Sequence, residues 1–176
     1  MTITRGQLLE FARGTQKARI VESRRTMVRA SAAATVFLSH SHADRELVEP
    51  AANFLASMGV TVYVDWLDPE MPAITSPDTA RRIREMININ RRFLVLATER
   101  SLSSRWVPWE LGVADGKKPF SAIAVLPVSE DVYVNAPNEY IHVYQRFAKT
   151  TDGEWYVFEP GKSESRTPVK EWLVQP

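Results

Sequence analysis

The stretch TVFLSHSHAD, residues 35–44, ends a run of strand-forming residues on Ser39, His40, Ser41, His42 and Asp44. Three chemistries compete for such a cluster. Ser41 followed three residues later by Asp44, ahead of an apolar periodic run, is a capping-box arrangement in which the hydroxyl accepts from a free N–H of a new helix. Metal binding asks for more ligands than His40 and His42 supply, since the chain has no cysteine and its one other histidine, His142, lies far along the sequence. A serine–histidine–aspartate triad built from immediate neighbours is poor geometry, because side chains diverge from a tight turn. Capping has a corollary: a helix N-terminus at a sheet edge favours anionic groups such as a pyrophosphate, and Ser39 and His40 would line that pocket.

A second reactive stretch is SLSSRWVPWELG, residues 101–112. Pro108 is tolerated only near the start of a helix, which places that start around Trp106 or Val107, with the helix running through Lys117. Trp106 and Glu110 stand four apart, hence on one face. On one reading Glu110 only complements the helix dipole and the tryptophans are core. On the other, an indole platform stacks a flat ring while one carboxylate faces the bond to be broken.

The elements that position these groups follow from periodicity. TVFLS (35–39), VTVYV (60–64), FLVLA (93–97), AIAVLP (122–127) and WYVFE (155–159) read as strands alternating with helical stretches, the pattern of a parallel sheet covered on both faces. Leu47, Pro50, Ala51, Phe54, Leu55 and Met58 recur at helical spacing and stop at Gly59. DWLDPEMPAITSP is too irregular for an element and overhangs the second strand; a helix follows from Thr79 to Ile89. Right-handed crossovers bring every strand-to-helix loop to one side of the sheet, where open α/β proteins bind ligands.

The totals narrow the function classes. A chain of 176 residues suits one domain plus an appendage. A formal net charge of +1 gives no preference for nucleic acid. The absence of cysteine excludes disulfides and thiolate nucleophiles and suits a reducing cytoplasm. The longest apolar runs have strand lengths, far short of the ~18 residues of a membrane span. Residues 1–34 are locally basic, with Arg5, Arg13, Lys17, Arg19, Arg24, Arg25 and Arg29 against Glu10 and Glu22. The apolar positions Leu8, Phe11, Ala12, Val21 and Val28 in that segment fit a helix packing on its own domain, and an Arg-rich start also fits a targeting segment.

Three stretches in this order, VFLSHSHAD, VYVDW with its proline-rich continuation, and SRWVPWELG, resemble the TIR (Toll/interleukin-1 receptor) domain family: its first-strand signature, its second strand and BB loop, and its Ser-x-Trp-x-x-x-Glu-Leu box. The match runs roughly from Thr35 to Pro127. Within the family the chain is similar to standalone bacterial TIR proteins of the Thoeris type of anti-phage defence, whose loop reads Asp-Trp-x-Asp-Pro-x-Met-Pro as Asp65 to Pro72 do here. The resemblance implies a flavodoxin-like α/β fold, a five-stranded parallel sheet of order 2-1-3-4-5 with helices on both faces. It places a TIR domain over 35–176, to which the charge and apolar spacing of 1–34 add a basic N-terminal helical extension. By position the catalytic glutamate falls on Glu110, and the substrate-binding residues on Ser39, His40, Asp65, Trp66 and Trp106. Ser39 and His40 depart from the Tyr or Arg common in animal members. NAD⁺ is then substrate, with no metal and no further cofactor. The implied partners are other TIR protomers through the BB loop and a product-sensing effector, in the cytoplasm, with neither nucleic acid nor membrane.

One acid suffices for this chemistry, because nicotinamide leaves a cationic ring as a neutral molecule, unlike the leaving group of an ordinary glycosidase. Glu110 is expected to work ionised, favoured by a helix N-terminus. Two other functions compete: a non-catalytic TIR adaptor or self-association module, which would assemble without consuming NAD⁺, and a deoxyribosyltransferase-like enzyme, which would turn over deoxynucleosides instead.

Overall fold

The computed structural model of the protein describes residues 1–12, 20–21, 34–130, 142–162 and 164–175. The β-branched and aromatic runs build the centre of a mostly parallel sheet. Strand β1 is Ile3–Thr4, β2 Ile20–Val21, β3 Thr35–Ser39, β4 Thr61–Tyr63, β5 Arg92–Ala97, β6 Ile123–Ser129, β7 Gln145–Lys149, β8 Trp155–Phe158 and β9 Arg166–Pro168. The order is β2-β4-β3-β5-β6-β7-β8-β9, with β1 paired to the end of β6. Every residue of β3 and β5 is buried, as expected of strands covered on both faces.

Helix α1 is Arg5–Glu10, α2 Arg45–Ala56, α3 Pro77–Ile89, α4 Glu99–Leu102, α5 Trp106–Asp115 and α6 Val169–Val174. Alternation along β3 sorts the core into two layers. Val36 and Leu38 pack with Leu47, Ala51, Phe54 and Leu55 of α2 and with Trp172 of α6. Phe37 faces the other way, its ring 5.3 Å from Tyr63 and 5.4 Å from Phe93, in a layer closed by Ile83, Met86 and Ile87 of α3 and by Val107 and Leu111 of α5. Helix α2 ends at Ala56, and the turn that follows closes at Gly59, whose φ of 89° only glycine adopts cheaply. Helix α3 begins two residues before the sequence expectation, because Ser76 caps it and Pro77 occupies its first position.

The central order β4-β3-β5-β6 is that expected of the first four strands, and the α/β fold with helices on both faces is the one the sequence implies. The fifth position differs. It is taken by β7, parallel to β6, whereas Trp155–Phe158 joins antiparallel beyond it. The reason is chain length: only residues 150–154 separate β7 from β8, turning at Gly153 with φ 90°, and a parallel crossover needs a dozen residues or more.

The described part of segment 1–34 packs on the sheet. Leu8 is fully buried, Phe11 meets Phe54 edge to face at 5.2 Å, and the N-terminal amine donates to the Lys149 carbonyl at 2.7 Å. Among the described residues of this segment a helix covers Arg5–Glu10, and β1 and β2 add parallel pairings to β6 and β4. Arg13, Lys17, Arg19, Arg24, Arg25 and Arg29 lie outside the described residues.

Candidate active site

Strand β3 ends on Ser39, and its hydroxyl donates to Glu110 Oε2 at 2.6 Å. Glu110 reaches that point because α5 buries Val107, Glu110, Leu111 and Ala114, the i, i+3, i+4, i+7 stripe of a core-facing helix. A carboxyl group thus occupies one place in an apolar stripe, which is rare without a purpose. Ser104 starts the helix by accepting from the Trp106 N–H at 3.2 Å, and Pro108 lies within the first turn, where its missing N–H costs nothing.

Burial pushes the Glu110 carboxyl well above the ordinary range, the nearby charge of Asp65 pushes it further, and the Ser39 bond only partly opposes them. Burial and Asp65 both favour the protonated carboxyl, against the expectation that a helix N-terminus favours the ionised one. Glu110 stands beyond the first turn of α5, which carries no acid, so the helix dipole contributes little there, the effect fading within one turn.

His40 and Asp65 complete the cluster from the tips of β3 and β4. His40 Nδ1 lies 3.1 Å from the Leu38 carbonyl, and its Nε2 lies 3.7 Å from Asp65 Oδ1. Burial lowers the His40 pKa below the ordinary imidazole value, with Asp65 opposing. The Trp66 ring stands 6.4 Å from His40, with the Arg45 guanidinium 4.9 Å over its face. Among the described residues, three buried polar atoms here have no hydrogen-bond partner: His40 Nε2, Asp65 Oδ1 and Trp66 Nε1. Such atoms are costly unless a ligand satisfies them.

Five of the six residues singled out by sequence, Ser39, His40, Asp65, Trp66 and Glu110, gather at these strand tips. Trp106 stands one turn before Glu110 and leans edge to face on Trp109 at 5.2 Å; the indole nearest His40 is that of Trp66. Ser41 accepts from the Ala43 N–H as a cap should, but the reciprocal half of the capping box is absent. Asp44 instead accepts from Thr98 Oγ1 at 2.5 Å, tying the tip of β3 to that of β5.

Sequence reasoning missed a buried clasp below the proline-rich loop. Asp68 Oδ2 accepts from Tyr63 Oη at 2.7 Å and from Arg82 Nε at 2.9 Å, while Arg82 also pairs with Glu70 at 2.7 Å and Glu85 at 3.3 Å. The available signal was Arg82 itself, a cation beside Ile83 and in step with Thr79 and Met86 on the buried face of α3. Burial also closes the candidate site: Ser39, His40 and Glu110 are 1%, 6% and 3% exposed. A cavity of about 240 Å³ lies across the neighbouring tips, between Asp44, Thr98, Arg100, Pro127 and Ser129, and none of the six residues lines it.

The TIR domain family matches residues 36–154 of the chain. A curated protein of Bacillus cereus (strain MSX-D12), named "Probable 3' cyclic ADP-D-ribose synthase ThsB'", is 35% identical over 149 residues, spanning 80% of this chain and 75% of that protein.

Proposed function

The chain belongs to the TIR domain family, and on that premise we propose that it breaks the nicotinamide–ribose N-glycosidic bond of NAD⁺ and converts the remainder into an ADP-ribose-derived signal of the cyclic type in anti-phage defence. The activity in the relative's name supports this class of reaction. The observation that carries the reading is the Glu110 carboxyl, buried at the strand tips and held by Ser39 at 2.6 Å.

In this scheme nicotinamide departs with the electron pair of the C–N bond, and positive charge moves onto the ribose. Glu110 faces that charge from a dry pocket, where a preorganised carboxylate is worth far more than in water. Burial favours its protonated form in the free protein. A cationic pyridinium entering the pocket acts the other way and favours the carboxylate where it is used. His40, Asp65 and Trp66 hold the ribose and the flat ring, with Trp106 supporting Glu110 from the preceding turn. No metal or additional cofactor enters. Residues 35–176 act as the TIR unit, with 1–34 as an N-terminal extension to it, in the cytoplasm.

Incubation with NAD⁺ followed by mass spectrometry tests the assignment. Wild type releases nicotinamide, and Glu110→Gln loses about 100-fold or more of the rate; equal turnover by both proteins would remove the glutamate from its role.

One observation favours the second reading, a non-catalytic self-association module: the site is closed while Ile74, on the overhanging loop, is 81% exposed. The same feature fits an enzyme whose loop of one copy must meet a neighbour before the pocket opens. Assembly without loss of NAD⁺ would select the adaptor. The effector that senses the product is a further partner of the enzyme reading.

A further inference from the structure

His40 and Asp65 face one another in a way that neither can satisfy. The Leu38 carbonyl can only accept, so His40 Nδ1 carries the ring proton and donates it at 3.1 Å. That fixes Nε2 as a bare lone pair, and it points at a carboxylate oxygen, a second pure acceptor, 3.7 Å away. The distance is too long for a hydrogen bond. Both atoms are buried and unpartnered. Two converging acceptors are matched by a donor placed between them, and among the parts of a dinucleotide the strong donors that lose a proton on reaction are hydroxyls.

We propose that His40 is the general base of the second half of the reaction, taking the proton of a substrate hydroxyl as that oxygen attacks the ribose carbon that nicotinamide has left. The inference rests on the NAD⁺ reading above. In bonds, the carbon–nitrogen bond breaks with its electron pair leaving on neutral nicotinamide, and a carbon–oxygen bond forms from a hydroxyl of the same molecule. The hydroxyl proton passes to Nε2 and from there to solvent. The product is a ring closed through oxygen. A ring nitrogen of adenine carries no proton at the attacking atom and would make no use of the paired acceptors.

Asp65 has a stated part in this step. Its carboxylate, facing the same nitrogen, steadies the imidazolium formed when Nε2 accepts the proton, while the Leu38 carbonyl on Nδ1 fixes the tautomer, the orienting service a third group performs in a catalytic triad. The other groups facing His40 are His42, with ring centroids 6.3 Å apart, Asp44 on the 3₁₀ turn after β3, and Arg45 of α2 over Trp66. Glu110 acts on the pair through Asp65. Burial lowers the His40 pKa below the ordinary imidazole value of 6.5, so the neutral base is present at pH 7 and is lost only as pH falls below that ordinary value.

The test is product partition, measured as cyclic product and ADP-ribose per nicotinamide released, between pH 5 and 8, whatever the overall rate. His40→Asn keeps a donor for the Leu38 carbonyl and removes the acceptor. Its cyclic fraction is expected to fall about 100-fold, with ADP-ribose in its place, because water delivers its proton to bulk solvent without a fixed base. In wild type the same fraction drops on acidification, and in His40→Asn that pH dependence disappears. Asp65→Asn, a check should His40→Asn fold poorly, moves the wild-type midpoint to lower pH. An unchanged product mix in His40→Asn with a wild-type pH profile overturns the base, as does a wild-type product closed through nitrogen. A wild type that releases no nicotinamide overturns the NAD⁺ reading and this step with it.

Discussion

At the scale of residues, the cost of the site is visible in its charges. Glu110 has a folded pKa above its unfolded one, so between the two values the native protein binds the extra proton and stability falls as pH rises. Glu110→Gln should therefore be more stable than wild type at neutral pH, with the advantage vanishing below the ordinary carboxyl value of 4.5; denaturant melts at pH 4 and 7 measure it. The same shift moves the acid limb of kcat/KM above that value. The Asp68–Arg82 pair behaves oppositely. Both side chains are buried, at 0% and 8% exposure, and Arg82→Met would leave the Asp68 carboxylate without its cation, with only the Tyr63 hydroxyl and the Glu70 N–H as donors. We expect a loss of about 3–5 kcal/mol in urea unfolding. Glu110 was singled out in the sequence because it stands four residues after Trp106 in SRWVPWELG, which resembles the family's Ser-x-Trp-x-x-x-Glu-Leu box. Arg82 was not, since its partner Asp68 lies fourteen positions away in an irregular loop.

Among the elements, turns decide what strands do. WYVFE is a good strand by composition, and its residues do form β8. Its direction, however, was set by the tight turn over 150–154, and the short polar QRFAK before it supplied the parallel partner that periodicity did not reveal. Gly59 makes a comparable point for α2. A β-carbon added there would meet nothing within 4 Å, so Gly59→Ala costs only the backbone conformation at φ 89°, about 1–2 kcal/mol in thermal or chemical unfolding. The loop after β4 is anchored at its start by Asp68 and Arg82 but carries Ile74 into solvent. Ile74→Asp is expected to leave the melting temperature unchanged while reducing self-association in sedimentation.

For the whole molecule, a closed site and an exposed Ile74 on the loop after β4 lead us, under the proposed enzyme reading, to expect that activity depends on assembly. Specific activity of wild type should rise with protein concentration, and Ile74→Asp should flatten that rise; a dilution series of initial rates would show constant specific activity if each pocket worked alone. What sequence by itself determined here are properties of local spacing: the central strands β3, β4, β5 and β6, the helices α2 and α5 between them, and the collection of Ser39, His40, Asp65, Trp66 and Glu110 at one end of a parallel sheet. Tertiary structure decided everything that depends on distance through space. The bare Nε2 of His40 opposite Asp65, the raised pKa of Glu110 and the clasp of Arg82 on Asp68 arise because packing removes water and brings together side chains that the chain separates, and neither desolvation nor a 3.7 Å approach is written in residue order.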